Sequence, residues 1–379
     1  MNEVYINRIS GFLPNEVIES DEMEDYLGYI DGRKSKSKRI ILNRNGIKKR
    51  YYAIDKEQNT THTNAEMVSE AVKGLFENKS EMAEVDLLAC GTSTPDQFFP
   101  SHAVMVHGLL PETNNIEVIS NSGVCCSGMH ALKYAYMSIK TGDKSKAVTT
   151  GSERVSKLLM AKNFEDEVQQ LKKLQEDPYL SFEKDFLRWM LSDGAGAMLL
   201  EPTKNEKGIS LRVDWIEAAS YANEAETCMY HGASKDEEGN FISYMEHTTD
   251  EWTEKSVFGI KQDVKLLGEN IVKYGQQTLN KALEKHGASV DDIAYFLPHL
   301  SSHFFEKEID KSLIDAHMAI PKEKWFTNLS YVGNVGAGSI YLILGELFNN
   351  NKLKAGDQLL LMVPESARFS YVYAWLTVC

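Results

Sequence analysis

Cys126, His299 and Asn334 are the polar residues of this chain whose types and settings could carry covalent chemistry. Cys126 lies in Ser120-Asn-Ser-Gly-Val-Cys-Cys-Ser-Gly-Met129. Before it, Ile116-Glu-Val-Ile119 reads as a buried strand; after it, Met129, Leu132, Tyr136 and Ile139 recur at helical spacing. A thiol at such a strand-to-helix turn meets the free N–H groups and positive dipole end of the helix, which favour the thiolate. Cys126 is therefore expected to be a nucleophile, with Ser127 and Gly128 leaving room for another backbone. Cys90, Cys125, Cys228 and Cys379 read as small buried hydrophobes. His299 ends the apolar strand that begins at Ile293, and Asn334 lies in the glycine-rich stretch Asn328–Ser339.

The elements that must position these residues alternate. Strands are expected at Val4–Ile9, Val85–Cys90, Lys146–Glu153, Leu191–Glu201, Ile209–Trp215, Gly356–Val363 and from Phe369 onward, with helices over Thr63–Phe76, Val264–Glu284 and Ile340–Phe348. Such alternation argues α/β layers. A weak internal repeat supports two similar halves: Ser127, Gly142 and Glu153 are echoed by Ala337, Gly356 and Glu365, at offsets of 210, 214 and 212. The expected division is 1–205 and 206–379. A charged helical insertion near 157–187 forms a possible lid in the first half, and a polar, acidic insertion near 222–256 interrupts the second.

With 379 residues, 42% hydrophobic and 25% charged, the chain has the composition of a soluble globular protein, and no apolar run reaches membrane-span length. Five unevenly spaced cysteines make no disulfide framework, so a reducing, cytoplasmic setting is expected. The net charge of −14 argues against nucleic-acid binding. One segment departs from that balance. Between Asp31 and Arg50 lie nine basic residues (Arg33, Lys34, Lys36, Lys38, Arg39, Arg44, Lys48, Lys49 and Arg50) against one acid. It reads either as a docking patch for an anionic partner or as a solvated loop.

Several segments, in chain order, resemble the β-ketoacyl-acyl-carrier-protein synthase III family of condensing enzymes. They are Asn45-Gly-Ile-Lys-Lys-Arg50, Thr94-Pro-Asp-Gln-Phe-Phe-Pro100, Cys126-Ser-Gly128, Asp193-Gly-Ala-Gly-Ala197, Leu297-Pro-His-Leu300 and Tyr331-Val-Gly-Asn-Val-Gly336. The resemblance implies a thiolase fold, a duplicated five-layer αβαβα sandwich, a homodimer, and no metal or redox cofactor. It implies a Claisen condensation in which Cys126 carries an acyl group taken from an acyl-carrier-protein or coenzyme A thioester, and a malonyl- or β-ketoacyl-thioester then attacks it. His299 and Asn334 would donate to the enolate oxygen, and the Cys126 N–H would help hold the tetrahedral oxyanion. Phe99 matches a position that gates the acyl tunnel, and the basic segment would face the carrier.

Departures from the family are informative. Its small C-terminal loop is here Pro364-Glu-Ser-Ala-Arg-Phe369, where Glu365 and Arg368 are out of character. Glu153 is expected near the site, either as a base that deprotonates a β-ketoacyl substrate or as part of a Glu–Arg pair that shapes the pocket. These features resemble ketosynthases that join two acyl chains into dialkylresorcinol or cyclohexanedione precursors. Two alternatives keep the fold: an acyl shuttle that forms no carbon–carbon bond, and a non-catalytic partner subunit. A papain-like hydrolase fits poorly because the cysteine lies mid-chain, and an α/β-hydrolase because no G-x-C-x-G frames it.

Overall fold

The computed structural model describes residues 1–35, 38–163, 187–236 and 238–379. Its centre is a nine-stranded sheet. In chain order the strands are β1 (Tyr5–Phe12), β2 (Leu87–Thr92), β3 (Glu117–Ser122), β4 (Ala147–Glu153), β5 (Gly194–Glu201), β6 (Leu211–Ser220), β7 (Ile293–Pro298), β8 (Gln358–Glu365) and β9 (Ser370–Val378). They lie side by side as β7-β8-β9-β6-β1-β5-β4-β2-β3.

The internal repeat becomes geometry here. In the first half β1 runs antiparallel to β5 and β5 to β4, while β4-β2-β3 are parallel. In the second, β6-β9-β8 are antiparallel and β8-β7 parallel. The strand that would complete the second half is reduced to one parallel bridge, Phe296 to Trp325. The halves join where β1 pairs with β6 through Tyr5–Arg212 and Ile6–Leu211.

Alternation along the strands decides the layers. Leu359, Leu361 and Val363 of β8, and Val372, Ala374 and Leu376 of β9, face an inner core. Leu360, Met362, Tyr371, Tyr373 and Trp375 face an outer one. Two buried helices, α3 (Cys126–Thr141) and α6 (Ser339–Asn349), fill the inner core. Outside, α1 (Asn64–Lys73) and α2 (His102–His107) cover the first half, and α4 (Val264–His286) and α5 (Phe304–Asp315) the second. Thr63 starts α1 with the reciprocal Thr–Glu66 cap that its sequence spells.

The inner helices approach the backbone so closely that glycine is required. A Cβ on Gly128 would lie 2.5 Å from the Ala337 carbonyl oxygen, and one on Gly151 only 2.2 Å from the same atom. Tyr341 fastens the contact, its hydroxyl bonding the Gly128 carbonyl and the Thr149 hydroxyl, each at 2.8 Å.

The insertion in the second half folds as a hairpin (Ala233–Lys235 with Phe241–Ser243), a helical turn (Thr249–Glu254), and a short pairing of Met229–Tyr230 with Lys261–Gln262. Tyr244 stacks on Phe98 at 5.9 Å, tying it to the loop after β2. Of the insertion expected near 157–187, residues 164–186 lie outside the described residues.

Candidate active site

The loop after β3 delivers two adjacent cysteines to the start of α3, and successive helical residues point about 100° apart. Cys126 points inward. It is fully buried in the inner core, and its thiol donates to the Val363 carbonyl at 3.3 Å. Cys125 caps the helix and lines two pockets. Of the two adjacent thiols, Cys125 borders the pockets, while Cys126, expected as the nucleophile, packs behind it against β8.

His299 and Asn334 flank that thiol from different sides. His299 directly follows β7, held by its N–H to the Met362 carbonyl at 2.8 Å, and lines one pocket with Cys125, Leu300 and Phe305. Burial pushes its imidazole down to about 4, which keeps the ring neutral near pH 7. Asn334 lines the other pocket with Cys125, Glu153 and Met190. Its backbone is clamped by Ser192 N–H to the Asn334 carbonyl at 2.8 Å, and its Oδ1 accepts the Gly336 N–H at 2.9 Å. Gly333 and Gly336 on either side have φ of +83° and +49°, and a Cβ on Gly333 would meet Ser192 at 2.7 Å. Ser301 and Ser366 border both pockets, and the insertion adds Met229, Tyr230 and Ile260 to the second.

Two carboxylates face the turn, and their arrangement was not foreseen. Glu153, at the end of β4, accepts from Ser93 N–H (3.1 Å), Ser93 Oγ (2.6 Å), Thr94 Oγ1 (2.7 Å) and the Ala337 N–H (3.3 Å) just before α6. Its acceptor positions are filled and no arginine is among its partners. The structure therefore makes it a hub rather than a free base or half of a Glu–Arg pair. Glu365, at the end of β8, accepts the Val124 and Cys126 N–H groups through Oε2, both at 3.1 Å. Each half's last parallel-ladder strand thus sends a carboxylate to the buried helix of the other half.

The Cys126 N–H expected to hold an oxyanion is therefore already occupied. The expected lowering of the thiol is overturned as well. Burial first, then the Glu365 carboxylate and the Cys125 thiol, push the Cys126 thiol well above its ordinary value, and burial with the Glu365 and Glu153 carboxylates does the same to Cys125.

Comparison with known proteins fits this geometry. The family described as 3-oxoacyl-[acyl-carrier-protein (ACP)] synthase III C terminal matches residues 283–364, a span that includes both His299 and Asn334. β-Ketoacyl-[acyl-carrier-protein] synthase III of Clostridium perfringens is 25% identical over 358 residues, covering 93% of this chain and 92% of that protein. The 3-oxoacyl-[acyl-carrier-protein] synthase III structure from Aquifex aeolicus superposes with a TM-score of 0.68 at 21% identity over 99% of both chains. Xanthomonas campestris OleA, with bound lauric acid and lauroyl-CoA, superposes with a TM-score of 0.73 at 17% identity over 100% of this chain and 99% of that one. The chain is a synthase III-like condensing enzyme of the thiolase fold.

Two further expectations for this synthase III-like acyltransferase, those for Arg368 and the basic segment, are changed by the structure. Arg368 is exposed and donates to the Ala225 carbonyl at 3.0 Å, outside both pockets. Phe99 is 90% exposed on this chain and lines neither pocket. The basic segment is less basic in space than in sequence, because residues 19–24 fold onto it. Lys38 pairs with Glu24 and Lys49 with Glu19, each at 3.2 Å. Arg50 is fully buried, its guanidinium on the Trp189 carbonyl at 3.0 Å. Arg33, Lys34, Arg39, Arg44 and Lys48 remain exposed; Lys36 lies outside the described residues.

Proposed function

We propose that this enzyme joins two acyl chains by Claisen condensation. The Cys125 thiol takes an acyl group from a thioester on acyl carrier protein or coenzyme A, forming a thioester to sulfur and releasing the carrier thiol. A β-ketoacyl thioester then supplies the carbanion. His299 and Asn334 donate hydrogen bonds to its thioester oxygen, where enolate charge develops. Ring closure of the product would give a dialkylresorcinol or cyclohexanedione precursor.

The observation that carries this reading is that Cys125 borders two largely apolar pockets, with His299 on one and Asn334 on the other. Two alkyl chains can lie on opposite sides of one sulfur, and long acyl groups such as those bound to OleA suit such walls. Among the described residues no lysine or arginine lines either pocket. A malonyl carboxylate would be buried there without a counter-charge, which favours the uncharged β-ketoacyl partner.

The test loads wild type, His299→Ala and Asn334→Ala with an acyl-CoA, then chases each with malonyl- and β-ketoacyl-thioesters and weighs protein and products. Both variants should load and then accumulate acyl-enzyme, condensing about 100-fold more slowly. Only linear products would remove the cyclisation step, and acyl transfer without carbon–carbon bond formation would leave a shuttle.

A homodimer is part of the same reading. Strand β3 is an open edge, and beside it Phe99, Val104 and Met105 are exposed. Phe99→Asp should move the sedimenting mass from two chains to one. An unchanged dimer would place the interface elsewhere. The exposed Arg33, Lys34, Arg39, Arg44 and Lys48 are the basic residues left to meet an acidic carrier.

A further inference from the structure

Three residues border both pockets: Cys125, Ser301 and Ser366. With the alkyl chains running outward into the pockets, the oxygen-bearing carbons of both substrates meet at this junction. Ser366 stands there with one side of its hydroxyl engaged and the other open. Its oxygen accepts the Gln262 side-chain N–H at 3.0 Å, while its own proton meets only the Met229 sulfur at 4.0 Å. A thioether is a weak acceptor. The Ser366 O–H is therefore a donor without a strong acceptor among the described residues, and the amide behind it polarises the bond.

The second half's insertion holds this hydroxyl in place. Gln262 is buried and belongs to the short strand that pairs with Met229–Tyr230. The Cys228 and Met229 N–H groups both donate to the Ala367 carbonyl, at 2.8 and 3.1 Å, and fix the loop one residue past Ser366. Arg368 fastens the same loop to the Ala225 carbonyl.

We propose that Ser366, oriented by Gln262, donates a hydrogen bond to the β-keto oxygen of the incoming thioester, so that the enzyme selects a β-ketoacyl over a malonyl partner. This role rests on the β-ketoacyl reading proposed above, and it does not depend on which of the adjacent cysteines carries the acyl group. The carbanion of a β-ketoacyl thioester spreads its charge over two oxygens. His299 and Asn334 serve the thioester oxygen, which leaves the β-keto oxygen to be held. A donor aimed there strengthens as the charge develops. A malonyl thioester loses its carboxyl as carbon dioxide when its carbanion forms, and no second oxygen remains for the hydroxyl to hold. Before that step its carboxylate would meet neutral donors without a cation.

The experiment compares wild type, Ser366→Ala, Ser366→Thr and Gln262→Leu in two readouts: acyl loading from octanoyl-CoA by intact mass, and kcat/KM of the loaded enzyme for β-ketoacyl- and malonyl-thioesters on the same carrier. Ser366→Ala and Gln262→Leu should load like wild type and lose about 10-fold in kcat/KM for the β-ketoacyl thioester. Their kcat/KM for the malonyl thioester should stay within about twofold of wild type, and Ser366→Thr, which keeps the hydroxyl, should recover most of the loss. A β-ketoacyl kcat/KM within about threefold of wild type in Ser366→Ala would overturn the proposal, as would an equal loss for both partners. Loading that falls together with condensation would also overturn it, because the hydroxyl would then serve the acyl carbonyl or the fold. If wild type condenses no β-ketoacyl thioester, the β-ketoacyl reading itself falls, and this proposal with it.

Discussion

Cys125→Ala will abolish covalent acyl loading, and Cys126→Ala will leave it nearly intact. Removing a nucleophile from a site whose groups act together costs about 10⁴-fold or more in turnover. Cys126 contributes through packing: its sulfur fills the inner core against Val363. Its truncation leaves a small void and one lost sulfur hydrogen bond, about 1 kcal/mol of stability. Its N–H, which Glu365 engages, survives the change. Intact mass after incubation with acyl-CoA gives the loading, and fragmentation of the acylated peptide assigns the sulfur. An acyl group on Cys126, or loading that persists in Cys125→Ala, would reverse the assignment.

The second large effect concerns stability against pH. Burial raises the Glu153 carboxyl from 4.5 to about 7. Below pH 4.5 the folded and unfolded chains both hold its proton. Between that point and about 7 only the folded chain does, so stability falls as pH rises through this window and then levels. At about 1.4 kcal/mol per pH unit, the loss attributable to this group is about 3 kcal/mol. Glu153→Gln should flatten that part of the profile. Its amide oxygen can accept from the Ser93 and Ala337 N–H groups, while the Ser93 and Thr94 hydroxyls can rotate to receive its N–H. Glu153→Ala should instead cost about 2–4 kcal/mol at every pH, by stranding buried donors. Denaturant unfolding of all three proteins across that pH range decides it. Parallel curves for wild type and Glu153→Gln would show that the carboxyl titrates unperturbed.

Much of the fold could be read from periodicity and spacing. The expected strand Lys146–Glu153 is Ala147–Glu153, the helix Val264–Glu284 runs to His286, and the repeat offsets mark equivalent strand ends. The choice between adjacent cysteines could not be read. The stripe Met129, Leu132, Tyr136, Ile139, continued one turn back, reaches either 125 or 126, and only the packing of α3 against β8 settles which faces in. The carboxylate exchange between halves was equally hidden, since Glu153 is 184 residues from Ala337 and Glu365 is 239 from Cys126. Glu365 did carry a signal, an acid in a loop expected to be small, without an indication of its partner. The basic segment misled for the opposite reason: its neutralising acids lie before it in sequence and only meet it in space.

The unequal ends of the sheet limit how copies can associate. At the second half's end, beyond β7, the ladder dwindles to the Trp325 bridge, with the indole N–H turned to the Ile320 carbonyl. That rim offers little backbone for another strand to copy. At the opposite end β3 presents an edge that pairs with no further strand among the described residues. A sheet with one adhesive rim can pair that rim with its own copy about a two-fold axis, and the product has none left to extend. In the proposed homodimer, pairing of β3 with its own copy would use up that rim, so strand addition through it would stop at two chains.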